Sequence, residues 1–542
     1  MKCESAVGRT GVGRFAVLAV LSMAVFSADA RAAQETATRT FEKTLTLGAN
    51  QTLSLETKFG EVHIHGENGH EAKVAATIRA QAGSQGEANK DADEIKIEVA
   101  EDSNGIKVKT VYPDDHVVLR IHKNSSYTVD YDIAVPIDAK LWVRSGFGNT
   151  EIRGVQGWAD IENSHGQLSS HDSGSTKLVN SFGSVEATGA TGNVWIVNNN
   201  GPVRVSAIKG ALDVKDRFAS ITVSNIVGQV TISGGNGPVE LTDAELSTIS
   251  NSFGPVTARN IHGNLNVNNS NGQIDVDTVQ GSASLNGSFG AVNFRNIAGS
   301  VNCTSSNGRV QGGPTGTDTY VKTSFGEVSL EQIGGSLQVE DSNGNISARE
   351  VKGKAEFNTS FGSIEASGLR KGVRATTGNG RVSLADVGGE VSVKTSFGSV
   401  SVQRVNGNLR IENSNGAVLA NSVNGDTTAK TSFASVTLED VAGSITVDNQ
   451  NGAVTVSEAR TSSGCKSISA KTSFAPLQVR IGEGSNYNVN AKTSFGRISS
   501  ELPITSSGQM GGDSLSGKIG NGGCTLSLTN ANGNIEILKF VK

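Results

Sequence analysis

Three histidines near the N-terminal end are the best candidate for a chemical site in this sequence. His63 and His65 alternate within a strand-like stretch, so they share one strand face, and His70 follows the turn between Gly66 and Gly69. Imidazoles that converge in this way can hold a metal ion. No second cluster of ligands supports such a site, and polar side chains on the solvent face of a capping hairpin give the same pattern. We therefore predict no metal site and keep these three residues to be checked.

Arrangements of residues typical of catalysis are missing from the rest of the sequence. Paired carboxylates for glycoside hydrolysis need a separation of ~5–9.5 Å inside a concavity, whereas Asp and Glu are scattered here over polar positions. The sequence has no Gly-x-Ser-x-Gly elbow, no Cys/His pair near one strand and no phosphate-binding loop with a lysine. Asp114, Asp115 and His116 follow Pro113 in a loop, where solvated side chains are expected. We predict no catalytic residue, no cofactor and no enzymatic activity.

A repeat of about 18 residues organises most of the 542-residue chain. Ser-Phe-Gly and Ser-Asn-Gly turns alternate along it, so Phe and Asn exchange at one position of the repeat. A unit this short cannot bury a core alone and must stack on its neighbours. The Phe copies are Phe182, Phe218, Phe253, Phe289, Phe325, Phe361, Phe397 and Phe433, and the Asn copies between them are Asn200, Asn236, Asn271, Asn307, Asn343, Asn379, Asn415 and Asn451.

The unit over residues 326–344 predicts two short strands. Val328 and Leu330 form one period-2 pair and Leu337 and Val339 form another, each with polar residues between and around them. Stacked units would pair strand on strand at ~4.8 Å and share one core. The halves of the double period are alike, which favours coils over the blades of a β-propeller. We predict an all-β fold: a parallel β-solenoid (β-helix) of ~18-residue coils with an N-terminal β capping region.

Continuing the same alternation into the turn predicts where its side chains point. It places Thr323 and Phe325 inside the corner, and Asp341 and Asn343 in the next unit. We expect the Phe rings to be buried there, each filling the height of two coils, because large apolar residues are usually inside. The alternate Asn would then hydrogen-bond the backbone of the turn. The alternative interpretation is an exposed ladder of aromatic rings that stacks on sugar rings.

The residue three positions before each Phe or Asn is expected on the outside of the solenoid. In-register stacking would set opposite charges beside each other in neighbouring coils, where their main effect is to fix the register. The column reads Lys322, Glu340, Asn358, Thr376, Lys394, Glu412, Lys430, Asp448 and Lys471.

The chain divides into four segments. Residues 1–32 have the pattern of a secretory signal, with a basic start, an apolar run and small residues at two cleavage positions. Residues 33–140 form the N-terminal β capping region, which a solenoid needs because its open end exposes unpaired strand edges. Residues 141–455 carry the regular solenoid. Residues 456–542 hold irregular coils and a cap, and the Phe-Gly and Phe-Ala copies there fall out of phase with the repeat.

Three cysteines follow the predicted signal. Cys303 takes the place of a core apolar residue and is expected to be a buried thiol. Cys465 and Cys524 lie in the C-terminal segment, where an exported protein could join them in a disulfide. Sequence alone leaves that pairing open.

Two stretches resemble the bacterial putative-adhesin family, a β-solenoid domain of otherwise unknown function. They are residues 53–64, LSLETKFGEVHI, and residues 135–143, VPIDAKLWV, at the entry to the solenoid, and Gly-x-Val-x-Val turns follow them. The resemblance covers nearly all of the chain after residue 32. It implies a β-solenoid with an adhesin-like role and supplies no catalytic residues to transfer to this sequence.

Charge and hydropathy narrow the class of function. The net charge of −5 leaves no basic footprint for nucleic acid, and no stretch after residue 32 is apolar enough to cross a membrane. We expect an exported, non-catalytic structural or adhesin-like surface binding module in the periplasm, at the cell surface or secreted. Its partner would be a cell-surface glycan or protein. The alternatives are a polysaccharide-acting β-helix enzyme and a self-assembling scaffold filament.

Overall fold

The computed structural model describes residues 34–48, 51–113, 125–458, 466–506 and 512–540. Over these ranges the chain is almost entirely β, with 51 strands and one helix. The N-terminal elements are β1 (Glu35–Thr46), β2 (Thr52–Phe59), β3 (Val62–Glu67), β4 (Glu71–Ala82), α1 (Gln85–Glu94), β5 (Lys96–Asp102), β6 (Gly105–Val111) and β7 (Ser126–Pro136).

The next 36 strands form 18 successive coils of two strands each. They are β8 (Lys140–Phe147), β9 (Thr150–Arg153), β10 (Ala159–His165), β11 (Leu168–His171), β12 (Thr176–Phe182), β13 (Val185–Thr188), β14 (Val194–Asn198), β15 (Val203–Ile208), β16 (Leu212–Asp216), β17 (Ile221–Ile226), β18 (Val230–Ser233), β19 (Val239–Ala244), β20 (Ser247–Asn251), β21 (Val256–Ile261), β22 (Leu265–Asn269), β23 (Ile274–Val279), β24 (Ala283–Gly287), β25 (Val292–Ile297), β26 (Val301–Thr304), β27 (Val310–Gly312), β28 (Thr319–Lys322), β29 (Val328–Ile333), β30 (Leu337–Glu340), β31 (Ile346–Val351), β32 (Ala355–Asn358), β33 (Ile364–Leu369), β34 (Val373–Thr376), β35 (Val382–Val387), β36 (Val391–Thr395), β37 (Val400–Val405), β38 (Leu409–Asn413), β39 (Val418–Val423), β40 (Thr427–Thr431), β41 (Val436–Val441), β42 (Ile445–Asn449) and β43 (Val454–Glu458).

Even-numbered strands of these coils stack in parallel into one sheet, here called sheet B, and odd-numbered strands stack into a second, sheet A. The core lies between the two sheets. Val328, Leu330, Leu337 and Val339 are all at most 2% exposed, so their predicted inward orientation is confirmed. The predicted all-β fold and parallel β-solenoid are confirmed as well. Each residue pairs with the residue 18 positions on through most of the stack, as Val339 does with Phe357.

The second strand of a coil returns to the first through an arc with a fixed backbone conformation. In the coil that contains β35, the side chains of Val382 and Leu384 are buried, and the next inward residue is Val387. Asp386 lies between them with φ 57°, and Arg404 holds the same place one coil on with φ 53°. This left-handed residue shifts the inward–outward alternation by one, so the chain re-enters the core at the arc.

Both ends of the solenoid depart from sequence order. At the N-terminal end, β2 and β3 form a coil that lies between β6/β7 and β8/β9. Beyond it, β5 pairs antiparallel with β6, and β7 pairs antiparallel with β4, which pairs with β1. Helix α1 buries Ala88 and Ala92 against alanines of β1 and β4. These antiparallel strands and the helix cover the open end of the parallel stack.

The C-terminal end repeats this arrangement. Its strands are β44 (Ile468–Thr472), β45 (Leu477–Ile481), β46 (Tyr487–Thr493), β47 (Ile498–Ser500), β48 (Ile504–Ser506), β49 (Ser514–Ile519), β50 (Cys524–Asn530) and β51 (Ile535–Lys539). The last coil in sequence, β50/β51, is inserted between β44/β45 and β46/β47. Strand β49 then pairs antiparallel with β46, and β48 with β49.

The predicted secretory signal at residues 1–32 lies outside the described residues. Among the residues that are described, none belongs to a helix with the length and apolar character needed to span a membrane.

Candidate binding surface

The corner between sheets B and A is built from one buried polar residue and one glycine. In the turn after β36, the N–H of Gly398 donates to Oγ1 of Thr395 at 3.3 Å, and Thr395 is 4% exposed. A Cβ on Gly398 would collide with the carbonyl oxygen of Gly380 one coil below. The hydroxyl of Thr395 thus fixes the turn from inside, and Gly398 packs it tightly against the preceding coil. The side chain of Phe397, which lies between these two residues, therefore points outward.

The prediction that the Phe rings fill the inside of the corner is wrong. Phe325 is 64% exposed and Phe397 is 63% exposed. The alternation does hold as far as Thr323 and Asp341, which are buried as predicted. It ends there because the side chain of Thr323 accepts the N–H of Gly326 at 3.2 Å. That bond bends the chain into the turn and leaves the following two residues on the outer side.

Asn residues of the alternate coils are also on the outside, which corrects the expected inward position of Asn343. Their predicted hydrogen bond to the turn backbone is confirmed nonetheless. Nδ2 of Asn343 donates to the carbonyl oxygen of Ser324 in the preceding coil at 3.1 Å, and Asn415 does the same toward Ser396 at 3.3 Å. Asn200, Asn271, Asn343, Asn415 and Asn451 are all laid back in this way along the turn of the preceding coil, leaving an opening between successive Phe rings.

Phe and Asn alternate along this corner through the described coils from β8 to the C-terminal cap, forming what we call the Phe/Asn row. Successive Phe lie two coils apart, or ~9.6 Å at ~4.8 Å per strand. All of the Phe side chains in the row are between 48% and 85% exposed. They are Phe147, Phe182, Phe218, Phe253, Phe289, Phe325, Phe361, Phe397, Phe433, Phe474 and Phe495, with His165, Asn200, Asn236, Asn271, Asn307, Asn343, Asn379, Asn415, Asn451 and Asn532 in the coils between them.

The alternation survives where the sequence repeat breaks. Phe474 and Phe495 are out of phase in sequence, but the inserted coil β50/β51 lies between their coils. The N–H of Asn532 donates to Ser473 at 2.7 Å, and the N–H of Phe495 donates to Ala531 at 3.0 Å. Asn532 therefore occupies the Asn position between the two Phe, and the row stays regular through the cap.

At its N-terminal end the row closes into a stack of rings. His165 lies between Phe147 and Phe182, with ring centroids at 4.3 and 4.8 Å and nearly parallel planes. Phe147 stacks in turn on Phe59 at 5.4 Å. Tyr112 meets the edge of Phe59 at 5.5 Å. Here the opening between two Phe rings is filled by one further planar ring.

The turn residues of the row offer aromatic faces, hydroxyls and amides but almost no charge. Ser, Gly, Ala, Asn or Gln stands directly before the Phe, Asn or His, and Gly or Ala follows it; Arg217, before Phe218, is the charged exception. A large apolar side chain that is mainly exposed gains little from burial, and a long row of them marks an interaction site. The arrangement can bind a partner that presents flat apolar faces at a regular repeat.

The predicted charged column flanks this row on sheet B, and its register is confirmed. Lys394 pairs with Glu412, and Glu412 pairs with Lys430. Lys322 and Glu340 form an ion pair at 3.6 Å. Arg410, two residues away on the same strand, contacts Glu412 at 2.6 Å. Arg410 contributes most to holding the pKa of the Glu412 carboxyl below its usual range, with smaller effects from the two lysines.

The three candidate histidines do not converge. His63 lies between Glu61 and Glu151, at 3.5 and 3.4 Å. His65 lies between Glu67 and Asp132, at 3.4 and 3.5 Å. His70 is exposed in the turn that follows. Over the residues that the structure describes, no group of three or more His, Cys, Asp or Glu side chains is arranged to hold a metal ion.

Other residues singled out in the sequence are placed as follows. Asp114, Asp115 and His116 lie outside the described residues, as does Cys465. Cys303 is a buried free thiol, as predicted, and burial raises its pKa to about 12. Cys524 is disulfide-bonded.

One surface feature was missed in the sequence. The three tryptophans of the chain, Trp142, Trp158 and Trp195, all lie in the first coils of sheet B or directly before its strands. Trp158 and Trp195 meet edge to face at 5.4 Å, and the Arg144 guanidinium lies 4.2 Å above Trp142. Trp142 and Trp195 occupy the same outward position three coils apart in the parallel register, a signal that could be found once the 18-residue period is applied.

A depression of about 1080 Å³ on sheet B is lined by both signs of charge, including Arg374, Glu390 and Lys394. Connections between the strands of the 18 regular coils are short. Over those coils, nothing is built out from the sheets into the walls of a deep cleft.

Comparisons with known proteins add little to this picture. No known protein-family profile matches the chain, and no curated protein matches it. A solved structure of a putative cell adhesion protein from Clostridium sporogenes aligns with 44% of this chain and 98% of its own, at 13% identity and a TM-score of 0.16. A score this low supports no conclusion about this chain, so the resemblance to the putative-adhesin family stays a prediction.

Proposed function

We propose that this protein is an exported, non-catalytic β-solenoid that acts as an adhesin-like binding module, with the Phe/Asn row as its binding surface. The observation that carries the proposal is the exposure of eleven Phe side chains in one row along the stacked coils. Soluble proteins rarely leave contiguous apolar surface uncovered unless it meets a partner. Export rests on the secretory signal predicted at residues 1–32.

The fold of the coils does not require a Phe at the positions of the row. The turn is already fixed by Thr395, Gly398 and the backbone, so a polar residue at Phe397 would serve the coil equally well, as Asn415 does one coil on. Aromatic side chains are the residues that dominate binding energy at interfaces, since they bring a large contact area with few rotatable bonds. Repeated every second coil, they suit a partner that is itself extended.

A binding role without catalysis is supported by the short connections between coils and by the pairing of carboxylates with cations on sheet B. Glu412 is held by Arg410 and Lys177 holds Asp160 at 3.1 Å. A scaffold filament formed end to end is disfavoured in sheet B at the N-terminal end, because its edge strand β5 runs antiparallel to the stack.

The test is binding of the purified protein to whole cells and to a panel of neutral and uronate glycans. A triple variant, Phe325→Ser with Phe361→Ser and Phe397→Ser, should lose most of the binding. A matched control, Val227→Ser with Leu246→Ser and Leu419→Ser, removes three exposed apolar side chains away from the row and should bind like the parent. Equal loss in both triples would overturn the row as the binding surface, and release of glycan products would overturn the non-catalytic assignment.

A further inference from the structure

The openings of the Phe/Asn row have a definite size. Two Phe rings of the row are ~9.6 Å apart across one Asn coil, and at the N-terminal end one planar ring, His165, fills that opening with stacked contacts of 4.3 and 4.8 Å to Phe147 and Phe182. Beyond that end, the side chains of Asn200, Asn271, Asn343, Asn415 and Asn451 lie back on the preceding turn. Each of these openings can therefore accept one flat ring from outside.

A partner that fills many openings must present flat rings at the same two-coil repeat. The Phe side chains of a second copy of this row have that repeat, because they also lie on every second coil. We propose that two copies of this chain associate antiparallel along the C-terminal halves of their Phe/Asn rows, each inserting its Phe rings above the Asn residues of the other. The inference rests on the proposed function of the row as a binding surface and names its partner as a second copy of the chain.

The charged column supports this choice of partner. In the C-terminal half, coils with a Phe carry Lys or Asn three residues earlier, as at Lys394 and Asn358, whereas coils with an Asn carry Glu, Asp or Thr, as at Glu412 and Thr376. A two-fold axis perpendicular to the solenoid places this column opposite itself. Interdigitation sets each Phe coil against an Asn coil, so Lys faces Glu, Asp or Thr, and like charges do not meet.

Two unfavourable contacts oppose a shift of one copy by one coil relative to the other. It would bring Phe against Phe, and it would also set Lys394 or Lys430 opposite a lysine of the other copy. Charges at a rim add little affinity but discriminate against wrong registers. The alternation of Lys with Glu and Asp, in phase with Phe and Asn, thus specifies the interdigitated register.

The contact is large enough for a stable dimer. A Phe side chain buries at least ~150 Å², so a ring that is about 60% exposed in the free chain would bury roughly 100 Å² more on insertion. Six rings from each copy would then bury about 1,200 Å² before the flanking Ser and Gly are counted, which reaches the size of specific interfaces.

Analytical ultracentrifugation and small-angle scattering of the purified protein test the proposal. We expect a dimer that is longer than one solenoid but shorter than two, with a cross-section doubled where the C-terminal halves overlap. The Phe325→Ser, Phe361→Ser, Phe397→Ser triple should weaken the dimer at least ~10-fold. A second triple, Asn343→Phe with Asn379→Phe and Asn415→Phe, fills the openings while making the row more apolar. It should also weaken the dimer, whereas non-specific apolar contact would be strengthened by it.

Thermal melts of both triples establish that the coils remain folded. A parent protein that stays monomeric, or an Asn→Phe triple that associates more tightly than the parent, overturns the antiparallel dimer. If the monomeric parent still binds cells or glycans through its Phe residues, the dimer proposal fails and the binding function stands. If there is neither association nor Phe-dependent binding, both fail.

Discussion

The backbone N–H of Arg497 donates to Oδ1 of Asn534 at 3.0 Å, across 37 residues of sequence. This contact exists because the last coil of the chain is inserted behind the coil that contains Phe495. Ile535, in the inserted strand β51, pairs on one side with Leu477 and on the other with Ile498. The C-terminal strands are thus an internal layer of the solenoid, and β46 and β47 form its outermost coil.

Substituting Ile535 should therefore disturb two coils that precede it in sequence. Ile535 is fully buried, and Ile535→Ala should cost ~2–5 kcal/mol through the cavity it leaves. Hydrogen exchange should show lost protection in β45 and β47 as well as in β51, since coils open locally. The matched variant Ile346→Ala should affect only its own neighbours, β29 to β33. Loss confined to residues 524–540 in Ile535→Ala would contradict the inserted coil.

Phe397→Ala should change stability little, by about half a kcal/mol, because the ring is mainly exposed and such positions are tolerant. The contrasting variant is Phe357→Ala, whose ring is fully buried in sheet B opposite Val339 and Ala375, and which should cost ~3–5 kcal/mol. Denaturant unfolding of both variants provides the comparison. A loss of several kcal/mol in Phe397→Ala would instead show that the ring is buried inside the corner.

These two phenylalanines show how far the sequence could be read. Phe357 replaces an apolar residue within a strand, where period-2 alternation decides orientation, and the core positions Val328 and Leu337 were predictable for the same reason. Phe397 lies two residues past the last strand residue that obeys the alternation. Its orientation is decided by the hydroxyl of Thr395 accepting the N–H of Gly398, a local bond that periodicity does not encode.

The coil order at the ends could not be predicted either. Periodicity gives the register between coils that follow each other in sequence. Strands β45 and β47 belong to two such coils, but β51 lies between them, and Ile535 pairs with both Leu477 and Ile498. The 18-residue spacing breaks between Phe474 and Phe495, which indicated an irregularity but not the insertion that resolves it. Helix α1 was likewise not predicted within the polar stretch after Gln81, since its apolar face consists of alanines.

Asp341 occupies the buried turn position that Asn413 holds four coils later, and its ionisation should limit stability. Burial raises the pKa of the Asp341 carboxyl, and N–H groups of Gly344 and Asn343 offset part of that effect. Oδ2 of Asp341 has no hydrogen-bond partner. The folded pKa exceeds the unfolded value of ~3.9, so folding stability falls as pH rises through this interval and the penalty is absent below it.

Asp341→Asn should therefore be more stable than the parent at neutral pH, by ~1 kcal/mol. The new amide can donate to turn carbonyls as Asn413 does toward Gly398 and Gly416, at 3.0 and 2.7 Å. Thermal melts at a series of pH values should show the difference shrinking as pH falls toward ~3. The reverse substitution, Asn413→Asp, should lose stability at neutral pH, and this loss should also shrink as the pH falls. A difference between Asp341→Asn and the parent that is independent of pH would exclude ionisation as its cause.

The charged column gives the final prediction, since its register is fixed by the stack. Glu412 lies between Lys394 and Lys430 and also contacts Arg410, so Glu412→Lys would gather four positive charges. The side chain is 39% exposed, and screening by water keeps the loss on the order of 1 kcal/mol.

Salt dependence is therefore the sharper measurement. Melting temperatures of Glu412→Lys and the parent should converge as salt approaches ~1 M, where the screening length is about 3 Å. Glu240→Lys is the matched control, because its neighbours in the adjacent coils are Thr222 and Thr257, and its difference from the parent should hardly respond to salt. An unchanged gap for Glu412→Lys would mean that the melting difference arises from packing at residue 412 and not from repulsion between stacked coils.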